Sequence, residues 1–178
     1  VTDGPFANTT LHITQYSNTD SFCLWRSFGT NIFQGASSPN IAECFNTTTY
    51  EEAYDCYQQN PHTAGHGGVG GAMLDVVGSP QEPLFFLHHS NLDRLWWLWQ
   101  EAEPETRTYA IGGRNVPTDE YLAQNNFTYP GPEFLDYDGD DGNITTLDHV
   151  LWMADLIPNA TVADVMDLRG SLICAEYV

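Results

Sequence analysis

Ser79-Pro80-Gln81-Glu82-Pro83-Leu84-Phe85-Phe86-Leu87-His88-His89-Ser90-Asn91-Leu92-Asp93-Arg94-Leu95-Trp96-Trp97-Leu98-Trp99-Gln100-Glu101 is the stretch on which the fold turns. Ser79 with Glu82 three residues on, and Pro80 between them, combines a capping box with a proline at the first helical position. Pro104 lies just beyond the far end. The spacing predicts one helix from Ser79 to about Glu101, the longest and most apolar of the chain. Inside it stand two adjacent histidines. A buried imidazole needs a polar partner, because an unpaired buried polar group is costly. A backbone carbonyl is the plain partner and a metal ion the more specific one. Adjacent helical residues point about 100° apart, so only one of the pair reaches a shared site.

Partners lie upstream. His62 and His66 are four residues apart, which on a helix places both imidazoles on one face. Alone this spacing is weak. The zinc-protease version needs a glutamate directly after the first histidine, and Thr63 stands there. The glycine-dense Gly65-His66-Gly67-Gly68-Val69-Gly70-Gly71 lets backbone approach closely and stops the helix soon after His66. A glycine-lined pair facing a histidine of the long helix points to a three-imidazole metal site, suited to copper, zinc, iron or nickel. His12 and His149 have no partners at ligand spacing and read as surface or structural residues.

The remainder is organised around these segments. A first helix is expected over about 48–60, opened by a Thr48/Glu51 capping box and closed by Asn60-Pro61, which starts another turn. Residues 1–45 read as irregular and 104–143 as turn-rich, with a strand-like piece at 107–111. Short helices are expected near 146–156 and 161–168. No internal repeat or linker divides the 178 residues. The fold class is therefore mainly α, with long loops and a few short strands. The acidic run 136–143 fails the calcium-loop pattern, with no glycine at the sixth place and Leu147 at the twelfth, and reads as a solvated turn.

Composition bounds the setting. Five arginines, no lysine and 24 acidic residues give a net charge of −19, which argues against nucleic acid and anionic membrane surfaces. No stretch reaches the roughly 18 apolar residues of a membrane span. Five N-x-Ser/Thr sequons, at Asn8, Asn46, Asn126, Asn143 and Asn159, point to a secreted, extracellular, N-glycosylated protein. Cys23, Cys44, Cys56 and Cys174 fit an oxidising compartment and allow three pairings. No signal peptide precedes Val1, so the chain is expected to be processed or part of something longer.

The run His62-x-x-x-His66, Gly70-Gly71-x-Met73, Ser79-Pro80, Glu82-Pro83-Leu84-Phe85, Leu87-His88-His89 and Asp93-Arg94-Leu95-Trp96-x-x-Trp99-Gln100 resembles the second-copper (CuB) region of type 3 copper proteins. These are the tyrosinases and catechol oxidases and, more distantly, the haemocyanins. Val1-Thr2-Asp3-Gly4-Pro5-Phe6 resembles the stretch joining the two copper regions in short fungal enzymes. Residues 172–177 resemble the strand that ends their catalytic core, with Ala175 where a tyrosine is common.

The resemblance implies that His62, His66 and His89 hold one copper, with His88 packed beside the site and Asp93 orienting an imidazole or pairing with Arg94. It implies that residues 1–178 are the C-terminal (CuB) portion of a four-helix-bundle catalytic domain. The N-terminal (CuA) portion, which would hold the second copper, is absent from this chain and is its expected partner. The implied reaction oxidises small phenolic substrates, o-diphenols to o-quinones, with dioxygen as co-substrate. Monophenol-hydroxylating relatives carry a glutamate shortly before the first histidine and an asparagine directly after it. Here those places hold Gln58 or Gln59, and Thr63, and an amide is no base. Catechol oxidation is therefore expected over monophenol hydroxylation. Gly67 removes a side chain from the expected entrance. A tyrosinase, a haemocyanin-like oxygen carrier and a zinc-binding module are the alternatives.

Overall fold

A computed structural model describes residues 1–128 and 136–178. The part of the turn-rich 104–143 stretch that falls on 129–135 lies outside the described residues. The chain is mainly helical with a few two-residue strands. It forms two compact units, Val1–Trp99 and Gln100–Val178. The sequence shows no break at that boundary because it falls inside a helix.

In the first unit, β1 (Thr10–Leu11) pairs antiparallel with β2 (Phe22–Cys23). Leu11, Leu24 and Ala72 form a small core beneath Val1 and Phe22. Helix α1 (Ser38–Phe45) occupies a region expected to be irregular, with a proline in its first turn. A Cys44–Cys56 disulfide joins it to α2 (Tyr50–Tyr57). The α2 capping box is Thr49/Glu52, one residue along from the expected pair. The run of threonines and the Glu51-Glu52 pair make the two registers locally equivalent. The register adopted buries Ala53 and Tyr57.

Pro61 does not end the helix. The chain runs from α2 through a π turn (Gln58–His62) into α3 (Thr63–Val69). Proline lacks an amide proton and crowds the carbonyl one α turn back, and widening to a π turn relieves both. Helix α3 stops at Gly70 and Gly71, with φ of 64° and 58°. A Cβ there would meet the carbonyl oxygens of Ser27 and Trp25. The absence of side chains lets Trp25 and Ser27 hydrogen-bond to the backbone of Ala72 and Val69.

The long helix α4 spans Leu84–Ala102, five residues later at its start than expected. Pro83 is the cause: it biases the preceding residue towards extended backbone, and Glu82 has ψ of 118°. Ser79–Gln81 is left as a separate 3-10 turn. Glu82 is fully buried, accepts two bonds from the Arg26 guanidinium at 2.7 and 2.9 Å, and caps the Leu84 amide. Burial would push this carboxyl up, but Arg26 and the Leu84 amide hold it below its ordinary range. Further along α4, Trp99 is fully buried and donates its indole N–H to Thr47, and Trp96 packs edge-on against Tyr50 and Tyr57.

In the second unit, α5 (Pro104–Arg107) and the turn after it stand where a strand-like piece was expected. Buried Arg107 reaches back to Glu103. Helix α6 is Asp119–Gln124, capped by Thr118. Strands β3 (Val150–Leu151) and β4 (Ala160–Thr161) pair antiparallel, and α7 (Val162–Met166) follows with a Thr161/Asp164 capping box. The helix expected over 146–156 is not formed. The Thr146 hydroxyl and amide both donate to Asp140, so this threonine caps no helix. Asp140 also corrects the solvated-turn reading of 136–143. It is buried and accepts from Thr146, Asn115 and His149. Residues 172–177 form no strand. Among the described residues, no helix is long and apolar enough to cross a membrane.

Candidate metal centre

The π turn ends on His62, and α3 carries His66 one helical turn later. Helix α4 presents His89 to both. One ring nitrogen of each imidazole lies within 4.8 Å of the others, and among the described residues these three form the group able to hold a metal ion. His66 Nδ1–H donates to the Met73 carbonyl at 2.6 Å. That bond fixes the tautomer and leaves the Nε2 lone pair free. His66 Nε2 lies 3.1 Å from His89 Nε2, a spacing compatible with a common ion bonded at about 2.1 Å. His62 Nδ1 is buried with no hydrogen-bond partner.

Electrostatics favour the neutral form of two of these donors. Burial and the neighbouring imidazoles push His62 and His89 below the ordinary histidine range. Burial pushes His88 down to about 4. His88 turns away from the cluster nitrogens: its Nε2 lies 3.1 Å from the His62 carbonyl, so its N–H donates to backbone. Phe85, one turn before His89, stacks on that ring with centroids 4.0 Å apart.

Two clefts flank the imidazoles. One, of about 340 Å³, is lined by Tyr54, Tyr57, Gln58, Leu92, Asp93 and Trp96 together with His62 and His89. The other, of about 570 Å³, is more apolar; Ile32, Thr63, Gly67, Met73, Leu74 and Phe85 are among its lining residues. Gln58 and Asp93 thus share one cleft, and Thr63 and Gly67 share the other. Gln59 is exposed and lines neither. Thr63 Oγ1 donates to the Gln58 carbonyl. Gly67 is buried, and a Cβ there would lie 3.0 Å from Ile32. His12 is exposed and His149 pairs with Asp140, so neither joins the centre.

Sequence reasoning missed the Met73 carbonyl, Ile32 and Tyr54. The Gly70-Gly71 pair was the available signal for Met73, because two positive-φ residues turn the chain back under His66. Ile32 comes from a segment with no periodic pattern and left no signal.

Comparison with known proteins places these residues in a lineage. Residues 1–102, which include all three imidazoles, match the family model of the common central domain of tyrosinase. Over 99% of its length the chain is 30% identical to the tyrosinase-like protein phomQ1 of Diaporthe leptostromiformis, covering 45% of that protein. It is 28% identical to the oxidase hkm6 of Aspergillus hancockii over 99% of this chain and 64% of that one. A shorter match, 47% identical, covers 32% of this chain and 16% of tyrosinase P of Aspergillus terreus. The chain spans about half the length of the first curated relatives it matches. A family model that embraces the whole three-imidazole cluster, joined to a likeness running almost end to end, makes this chain a member of the tyrosinase family, for which copper is the implied metal.

Proposed function

We propose that this chain is the second-copper portion of a secreted dicopper oxidase that converts o-diphenols to o-quinones. His62, His66 and His89 hold one copper, and an N-terminal portion of the same enzyme holds the other. The observation that carries this reading is the convergence of three imidazoles, one tautomer fixed by Met73, inside a tyrosinase-family segment. Imidazole donors suit copper. When bound, the coppers supply the electron transfer that couples oxidation of two diphenols to reduction of one dioxygen to water, chemistry that side chains lack.

The chain's own residues shape access and proton handling. The more apolar cleft beside His62, His66 and His89 suits a phenyl ring, with Phe85 as a flat wall. Gln58 lines the opposite cleft as an amide, which accepts no proton at neutral pH. Thr63 is bonded to the Gln58 carbonyl. These features favour substrates that need no activating base. Secretion is supported by the disulfide and by five sequon asparagines that are all exposed.

Oxygen uptake by the intact enzyme, purified from its native secretion with both portions present, tests the reading. Rapid uptake with 4-methylcatechol and little with tyrosine is expected. Rapid hydroxylation of tyrosine overturns the diphenol preference, and oxygen binding without phenol turnover overturns oxidase function. Intact mass before and after reduction and deglycosylation tests the partner and the glycans.

A further inference from the structure

Beside the three ring nitrogens that converge lies a fourth imidazole that does not. His88 is half-buried on α4 and its ring lies nearly parallel to that of His62, at 13° with centroids 5.8 Å apart. Its Nε2–H points at the carbonyl oxygen of His62. That carbonyl sits where the π turn gives way to α3, the junction that sets the rotation of the segment carrying His62 and His66. The space His88 occupies exists because residue 65 is glycine. A Cβ there would lie 2.1 to 2.5 Å from three atoms of the His88 ring. A notch on α3, a ring on α4 and a hydrogen bond across them form one lock between the two helices of the centre.

We propose that His88 is a positioning residue of the metal centre: seated in the Gly65 notch and bonded to the His62 carbonyl, it fixes α4 against α3 so that His89 meets His62 and His66. Adjacent helical residues diverge by about 100°, so anchoring His88 to backbone aims His89 at the ion. This rests on the reading that His62, His66 and His89 hold copper. Loss of a partner that orients ligands costs about 10–100-fold in metal affinity.

The test is Cu(II) titration of the purified chain against a competing chelator, with electron paramagnetic resonance of the bound ion and thermal melting of the metal-free chain. His88→Gln keeps an N–H at the reach of the imidazole Nε2, whereas His88→Ala removes it. Gly65→Ala displaces the ring but leaves the imidazole intact. Expected are about 10–100-fold weaker binding in His88→Ala and Gly65→Ala, a changed copper hyperfine coupling with the count of coordinated nitrogens preserved, and recovery in His88→Gln. Binding in His88→Ala equal to the parent overturns the proposal, as does His88→Gln as weak as His88→Ala. Loss of one coordinated nitrogen in His88→Ala overturns it by making His88 a ligand. A parent chain whose Cu(II) affinity is unchanged by His62→Ala, His66→Ala and His89→Ala overturns the copper reading itself.

Discussion

At the scale of single residues, two of the four clustered imidazoles have a ring proton assigned by a backbone carbonyl. His66 gives its Nδ1 proton to Met73, and His88 gives its Nε2 proton to His62. On the proposed reading His66 is a ligand, so His66→Ala is expected to weaken copper binding by more than the roughly 10–100-fold that loss of a supporting partner costs. Exposed His12 replaced by alanine leaves binding unchanged, and chelator competition on both variants checks the contrast. The Arg26–Glu82 pair is a different case. Its carboxylate is fully buried, so Arg26→Ala strands a charge and is expected to destabilise the fold by about 3–5 kcal/mol. Arg26 and Glu82 replaced together by apolar residues of similar volume lose less, because no buried charge is left alone. Urea unfolding of the single and double variants measures the difference. The three-imidazole cluster was legible in the sequence because helical spacing aligns His62 with His66, because an apolar helix makes His88 and His89 conspicuous, and because the resemblance picks His89 from that pair. Which of that pair faces the ion depends on where α3 lies across from α4, and Met73 acts through its carbonyl, which carries no side-chain signature.

At the scale of elements, local signals named α2, α4 and α7 but missed α1 and α6, and the starts of α2 and α4 moved from where those signals put them. Pro83 delayed α4 to Leu84, and the repeated threonines let the α2 cap slide to Thr49 so that Ala53 and Tyr57 face the core. Thr146, a sound helix opener by sequence, was claimed by a buried carboxylate. Pro61 is the instructive exception, since a helix breaker sits inside a continuous helical path by widening one turn. Cys44–Cys56 pins α1 to α2 immediately before that widened turn, and Asn60 Nδ2 contacts both sulfurs. The twelve-residue separation of these cysteines predicts that the Cys44→Ala/Cys56→Ala variant loses about 2–3 kcal/mol. Denaturant midpoints of the oxidised chain and the variant measure it, and equal midpoints would sink the idea that the crosslink supports this junction.

At the scale of the whole molecule, charge and burial pull in opposite directions as pH falls. A net charge of −19 repels itself at neutral pH. With a Debye length near 10 Å at 0.1 M salt, added salt is expected to raise the melting temperature at pH 7 and to do little near the isoelectric point of about 4.1. Asp140 works against this relief. Burial pushes its carboxyl up, yet hydrogen bonds from Thr146, Asn115 and His149 outweigh burial and hold it far below its ordinary value of 3.8. A depressed carboxylate contributes stability that is present above its unfolded value and lost as pH falls from there towards its folded value. Stability is thus expected to hold or rise from pH 7 to the isoelectric region and to drop below about pH 3.8 as unfolded chains take up the proton first. Asp140→Asn keeps the volume but turns an amide donor towards groups that all donate. It should cost about 2–3 kcal/mol at pH 7 and flatten the acid limb below pH 3.8. Melting curves of parent and variant from pH 7 to pH 3 decide the point: an acid limb of unchanged steepness in Asp140→Asn would mean that other carboxylates, and not this buried one, drive the loss.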